Sequence, residues 1–329
     1  MSKRGFLTGG LLVLGLGLGL SWLAWNRWMG GTWTNEDVTV ELWPGDNAVQ
    51  HMARLEAQLP PSGRRVLDHV EMRSWEGRLK AGRYRFPAGE SVKNSATRLV
   101  TGNREAVKVV VRAGRDVGPV AGTATRRIHA DSSEVAHMLA QDSMMWRVLP
   151  NTYEMWWETD AQALGERLLL EHARWWNEDR VAAARAQGLS PKEATVLASV
   201  VQAETAVISE APAVAALYLN RLNKGMALQA DPTLIFALGD PSIRRVLDVH
   251  KEVDSPYNTY QHRGLPPGPI RYVDPRYLQS VLHPAEHAYL YMCAKPGGDG
   301  THDFARNYRE HLRNARAYQS WLNKQRIYR

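Results

Sequence analysis

Glu204 is the residue in this chain best placed to do chemistry. The segment leading to it opens with Ser190 as a natural N-cap, Pro191 at the first helical position and Glu193, which completes an S-x-x-E capping box. Ala194, Leu197 and Val201 then repeat at helical spacing, and Glu204 falls on the same apolar stripe. A carboxyl on the buried side of a helix loses hydration, which favours its neutral form near pH 7. Such a group can donate a proton to a leaving oxygen.

Asp231, within Gln229-Ala230-Asp231-Pro232-Thr233, is the obvious second acid. Facing Glu204 across a cleft, it would make two-carboxylate hydrolysis of a glycosidic bond available. Its other reading is an Asx turn or helix cap before Pro232. Asn220, Arg221, Gln229, Tyr257, Asn258 and Thr259 are cleft candidates, because amides and hydroxyls suit the N-acetyl and hydroxyl groups of sugars. Arg221 also reads as a structural ion-pair partner. The run Met145 to Trp157 (MWRVLPNTYEMWW) is dense in aromatics, which either pack a core or line a sugar site. His283 and His287 have a metal-ligand spacing, but Pro284 lies between them and no third ligand is near, so neither metal nor cofactor is expected. His302 follows a Gly-rich turn and reads as a cleft edge or a turn-stabilising residue.

The elements that must hold these residues are those of an α+β protein. At 329 residues, with 44% hydrophobic and 23% charged residues, the chain can bury a substantial core in two folded units. Its net charge of +7 comes without a zinc-knuckle, RNP or helix-turn-helix signature, so no nucleic-acid partner is expected. The single cysteine, Cys293, excludes intramolecular disulfides and reads as a buried structural thiol.

Residues Gly5 to Trp25 carry no charge and follow Lys3 and Arg4. About 20 apolar residues span a bilayer. The flanking charges predict a cytoplasmic N-terminus with the remainder exported, and Trp22, Trp25 and Trp28 would form the far aromatic belt. A cleaved signal peptide is the competing reading, but bulky Trp22 and Leu23 spoil its cleavage site. The expected layout is a cytoplasmic tail over 1–4, a transmembrane anchor over 5–28, a small α+β subdomain over 32–112 and a larger mixed helical and β catalytic domain over 113–329.

In the small subdomain, strands are predicted at Val38 to Leu42, around Leu79 to Tyr84 and at Val107 to Val111, with helices over Asn47 to Leu59 and Ser91 to Leu99. In the large domain one long helix is predicted over Ala161 to Gln187, then the Glu204 helix and another from Ser209 to Gly225. Asp254 to Ile270 holds four prolines and two glycines in 17 residues, as in a rigid binding loop. A helix at Pro275 to Leu282, a strand at Tyr289 to Ala294 and a final helix complete the chain.

Several motifs, in order, resemble the endolytic murein transglycosylases, the MltG or YceG-like family: LSPKEATVLASVVQAET ending on Glu204-Thr205, Asn220-Arg221-Leu222, LQADPT, SPYNTY, GLPPGPI, and His302 with Phe304. LPNTYE at Leu149 to Glu154 also looks like the family's P-[DN]-T-Y element, and the unit over 32–112 resembles its LysM-like subdomain more loosely. The resemblance implies a membrane-anchored enzyme with a LysM-like subdomain over 32–112 and Glu204 as the catalytic acid. It would cut peptidoglycan glycan strands internally, between N-acetylmuramic acid and N-acetylglucosamine, leaving 1,6-anhydro ends. Peptidoglycan synthases at the inner membrane are the implied protein partners, with the catalytic domain on the periplasmic side. The chain departs from the family at Gln202, where relatives often carry an acid, at Asp303, and at Arg112-Ala113-Gly114. A non-catalytic peptidoglycan-binding anchor and a hydrolytic muramidase are the alternatives.

Overall fold

The structure, a computed structural model, describes residues 19–25, 28, 30–240, 242–243 and 246–325. Most of the anchor expected over 5–28 lies outside the described residues, and among those described no helix is long and apolar enough to cross a membrane. The chain divides into two compact units. The first ends at Lys108 and also takes in Arg127–His129 and Glu154–Thr159, while the second comprises Val109–Arg126, Ala130–Tyr153 and Asp160–Arg329.

In the first unit, β1 (Val38–Leu42) is followed by α1 (Ala48–Gln58), α2 (Arg64–Met72), β2 (Gly82–Phe86) and α3 (Val92–Thr101). The two strands pair antiparallel, Val38 opposite Phe86 and Leu42 opposite Gly82. Alternation turns Val40, Leu42, Tyr84 and Phe86 inward onto Leu55, Val70 and Leu99. Asn47 and Ser91 cap their helices, and Gly102 ends α3 in the left-handed region that glycine tolerates. The α2 helix was not expected from its charged sequence, RRVLDHVEM. It forms because Val66, Leu67 and Val70 fall on one face and are buried.

β3 (Ala106–Val111) pairs with β4 (Asn151–Trp156), and the boundary between the units falls within both strands. Between them lie α4 (Val117–Ala124), α5 (Ser132–Leu139) and the single turn α6 (Asp142–Met145). The long helix predicted over 161–187 is two helices, α7 (Ala161–Trp175) and α8 (Glu178–Ala186). Asn177 breaks it by accepting a hydrogen bond from the Arg180 amide at 3.0 Å and starting α8 afresh, with Glu178 and Asp179 in its first turn.

The centre of the second unit is α9 (Pro191–Glu204), packed against α10 (Ala211–Asn223), α11 (Asp231–Leu238) and α12 (Pro275–Leu282). The predicted capping box is present: Ser190 accepts from the Glu193 amide, and Glu193 accepts from the Ser190 amide. The expected one-sided stripe is not. Every residue from Ala194 to Val201 is buried, so α9 is covered all round. It tolerates this because Thr195 and Ser199 satisfy their hydroxyls on the helix's own carbonyls, those of Pro191 and Val196. α11 was not among the helices predicted from the sequence. β5 (Tyr291–Ala294) and β6 (His302–Ala305) form a hairpin, Ala294 opposite His302, and α13 (Tyr308–Lys324) closes the chain.

Ser199 also ties the Pro-rich segment to α9, accepting the Ile270 amide at 3.0 Å with no solvent exposure. Ser199→Ala leaves that amide buried without a partner and is expected to cost about 2 kcal/mol in urea unfolding.

Candidate active site

Glu204 is the last residue of α9, where unpaired carbonyls give the helix a negative end that disfavours a carboxylate. The residue is half-buried and lines a cavity of about 360 Å³. Tyr218, in the second turn from the end of α10 and buried, donates its phenol to Glu204 Oε1 at 2.9 Å. Burial pushes the Glu204 carboxyl up to about 7. The Tyr218 hydrogen bond opposes the rise, the charge of Asp231 adds to it, and His302 and Arg221 oppose it more weakly. Burial, and then Glu204, hold the Tyr218 phenol well above the ordinary tyrosine range, so it keeps its proton and remains a donor.

Four of the residues singled out from the sequence as catalytic or substrate-binding line this cavity: Glu204, Arg221, Gln229 and Asp231. Arg221 is buried and spends its guanidinium on the protein. Nε donates to the Leu290 carbonyl at 2.6 Å and Nη1 to the Leu228 carbonyl at 2.8 Å. It forms no ion pair among the described residues; it clamps the chain before Gln229 to the strand region before β5. Gln229 takes a left-handed backbone (φ 50°), held by its amide donating to the Thr259 carbonyl. Asp231 starts α11 but does not cap it; its exposed side chain accepts the Tyr260 phenol.

Asn220, Tyr257, Asn258 and Thr259 are not among the lining residues. Both Asn220 Nδ2 bonds go to backbone, the His287 and Tyr289 carbonyls. Asn258, fully buried, donates to the Lys251 and Val253 carbonyls and accepts from the Tyr260 amide. Thr259 accepts the Ala230 amide and meets the Thr233 hydroxyl. Tyr257 packs on Phe236. Their geometry is that of groups holding the loops from which Gln229, Asp231 and Tyr260 reach the cavity.

The sequence reading passed over Tyr218, Tyr260 and Glu210. Glu210 grips His302 twice, accepting from its amide at 2.6 Å and meeting Nδ1 at 2.8 Å, which fixes that ring on the cavity wall. Tyr218 and Arg221 are three apart on α10, so they share a face, and that spacing was the available signal. Gln202 is structural: its Oε1 accepts the Asp274 amide at the start of α12. Cys293, expected to be buried, is only partly so and lines the cavity. The aromatics of 145–157 do not line it. Trp146 packs on His172, and Tyr153 is buried with its phenol on the Leu149 carbonyl.

A model of the YceG-like family matches residues 40–317. An endolytic murein transglycosylase of Bacillus subtilis is 38% identical over 128 residues, 39% of this chain and 35% of that protein. One from Streptococcus pneumoniae is 29% identical over 134 residues, 40% of this chain and 24% of its own length. The matched part thus spans about a third or less of these curated relatives. A crystal structure of a YceG-like protein from Listeria monocytogenes superposes with a TM-score of 0.53, at 22% identity, over 84% of this chain and 98% of that one, and so shares the fold.

The raised pKa of Glu204 bears on stability. An unfolded glutamate titrates near 4.3, so between there and about 7 the folded state binds the extra proton. Glu204 therefore subtracts stability progressively as pH rises through that window, and by about 1–3 kcal/mol once it is passed. Glu204→Gln is expected to unfold at higher urea than the wild type at pH 8 and at nearly equal urea at pH 4.5.

Proposed function

The chain belongs to the YceG-like family, and on that premise we propose that it is a lytic transglycosylase that cuts the glycan strands of peptidoglycan from within. The observation that carries this reading is the half-buried Glu204 carboxyl, raised to about 7 by burial and bonded to Tyr218 on the wall of an open cavity.

One carboxyl suffices for this reaction, since the substrate supplies its own nucleophile. Glu204 protonates the oxygen linking N-acetylmuramic acid to N-acetylglucosamine, and the bond from that oxygen to the anomeric carbon breaks. The Glu204 carboxylate then accepts the proton of the muramyl 6-hydroxyl as that oxygen bonds to the same carbon. The product is a 1,6-anhydro end, the glutamic acid is regenerated, and no water is consumed. Having hydroxyl and carbon in one sugar makes the closure intramolecular and favours it over capture by water. Tyr218, protonated throughout, stabilises the carboxylate between the two transfers. Gln229, Asp231 and Tyr260 are among the groups with polar atoms on the cavity wall to meet sugar hydroxyls and N-acetyl groups, with Arg221 and His302 beside them.

Asp231 on the same wall supports one rival, a muramidase that uses it toward water. Product ends separate the two. The strand–helix–helix–strand order of the first unit supports a LysM-like, wall-binding role for it. The uncharged run after Lys3 and Arg4 supports a single inner-membrane anchor with the enzyme on the periplasmic side. From there it reaches membrane-near, nascent glycan, where peptidoglycan synthases are its natural neighbours and strand termination its natural outcome.

Mass spectrometry of muropeptides released by the full-length protein from purified glycan is expected to show anhydro-muramyl ends. Reducing ends would show the muramidase instead. Glu204→Gln is expected to lower cleavage at least ~1000-fold while wall binding persists; undiminished release would refute the assignment. The wild-type kcat/KM should fall as pH rises through about 7, following loss of the Glu204 proton. Tyr218→Phe removes the bond that lowers the Glu204 pKa, so that limb should move to higher pH while kcat drops about tenfold.

A further inference from the structure

A second cavity, of about 210 Å³, opens at the neighbours of the two acids: Ala203 beside Glu204, and Pro232 beside Asp231. Ile235, Phe236 and Ile270 make its walls apolar, and its only charged lining residues are Arg115 and Arg271. These two arrive by a specific device. Gly114 and Tyr272 form an antiparallel bridge, the Tyr272 amide donating to the Gly114 carbonyl at 2.8 Å. Arg115 and Arg271 are the residues flanking that isolated bridge on the cavity side.

Arg115 and Arg271 are close enough to repel one another, and neither is neutralised by an ion pair among the described residues. Arg115 gives Nη2 to the Ile235 carbonyl at 2.8 Å, and Arg271 gives Nη1 to the Gln202 carbonyl at 3.1 Å. Arg271 Nε is buried without a partner. Asp240 feels Arg115, but its exposed carboxylate is turned to the Ser242 amide. Burial, and to a smaller extent Arg115, lower the Arg271 pKa, so the site works against its own charge. Each guanidinium has donors left over, in the fork geometry that suits a carboxylate.

We propose that Arg115 and Arg271 form an anion subsite that takes a carboxylate of the peptide arm carried by the glycan, beside the bond-cutting cavity. This rests on the transglycosylase reading above. The volume admits a short acidic arm and is too small for a disaccharide. The apolar wall strengthens the ion pair formed there by excluding water. The subsite selects strands whose arms still bear free carboxylates and sets their register against Glu204.

The test compares cleavage by the full-length protein of glycan strands with native peptide arms and of the same strands after their arm carboxylates are converted to amides. The wild type is expected to lose roughly tenfold in kcat/KM on the amidated strands, mainly through a higher KM, about the strength of one good ion pair. Arg115→Gln and Arg271→Gln are each expected to lose most of that preference, with KM on native strands raised and the amidated substrate little affected. Equal wild-type activity on both strands overturns the subsite, and so does a preference that survives intact in both variants. Absence of cleavage of either strand by the wild type instead refutes the transglycosylase reading. The wild-type comparison stands even if a variant fails to fold.

Discussion

The hydrogen bond from Tyr218 to Glu204 is the contact on which the rest of the second unit converges. It gives one donor to a half-buried carboxyl at the negative end of a helix whose middle, Ala194 to Val201, is covered all round. Burial and the helix end disfavour the ionised form, while the phenol supports it, and burial wins. The result is an acid that is half-protonated near neutrality and also has a partner ready once the proton leaves. A carboxyl lacking the phenol would be harder to ionise; one lacking the burial would rarely carry a proton.

The surrounding architecture serves to hold that pair in register. Because α9 is buried on all sides, its last residue is fixed by core packing from Leu197, Val200 and Val201. Tyr218 comes from the neighbouring α10, and one turn further on Arg221 uses the same helix to clamp the segment that presents Gln229 and Asp231. The Pro-rich stretch is anchored through Ser199 and the Asn258 amide, so its polar residues act as joints, and only Tyr260 from it reaches the cavity. Most of the conspicuous amides and hydroxyls are thus committed to backbone groups.

This distribution explains what could be read from the residues alone. The start of α9, its capping box and its terminal acid are local features, and local features are legible in sequence. The strands at Val38–Leu42 and the helix over Pro275–Leu282 were legible for the same reason, through alternation and a Pro start. The break between α7 and α8 depends on the Asn177 cap overriding a continuous helical pattern. The full burial of α9 depends on three other helices, which no periodicity within α9 reveals. Tyr218 meets Glu204 from 14 residues away, and the Glu210–His302 pair spans 92, so no local pattern fixes either contact, and the spacing of Tyr218 to Arg221 offered only a hint of the first. Asn220, Asn258 and Thr259 look like sugar-binding groups by type, and only coordinates show their bonds already spent.

The central claim is that Glu204 holds its proton to near neutral pH. It can be measured directly by NMR titration of the side-chain carboxyl carbon in protein labelled at glutamate, with Glu204→Gln identifying the resonance. The account predicts a midpoint near 7, set apart from the other glutamates. A midpoint in the ordinary range near 4.3 would mean that the group is ionised throughout the working range, and it would contradict the role assigned to it.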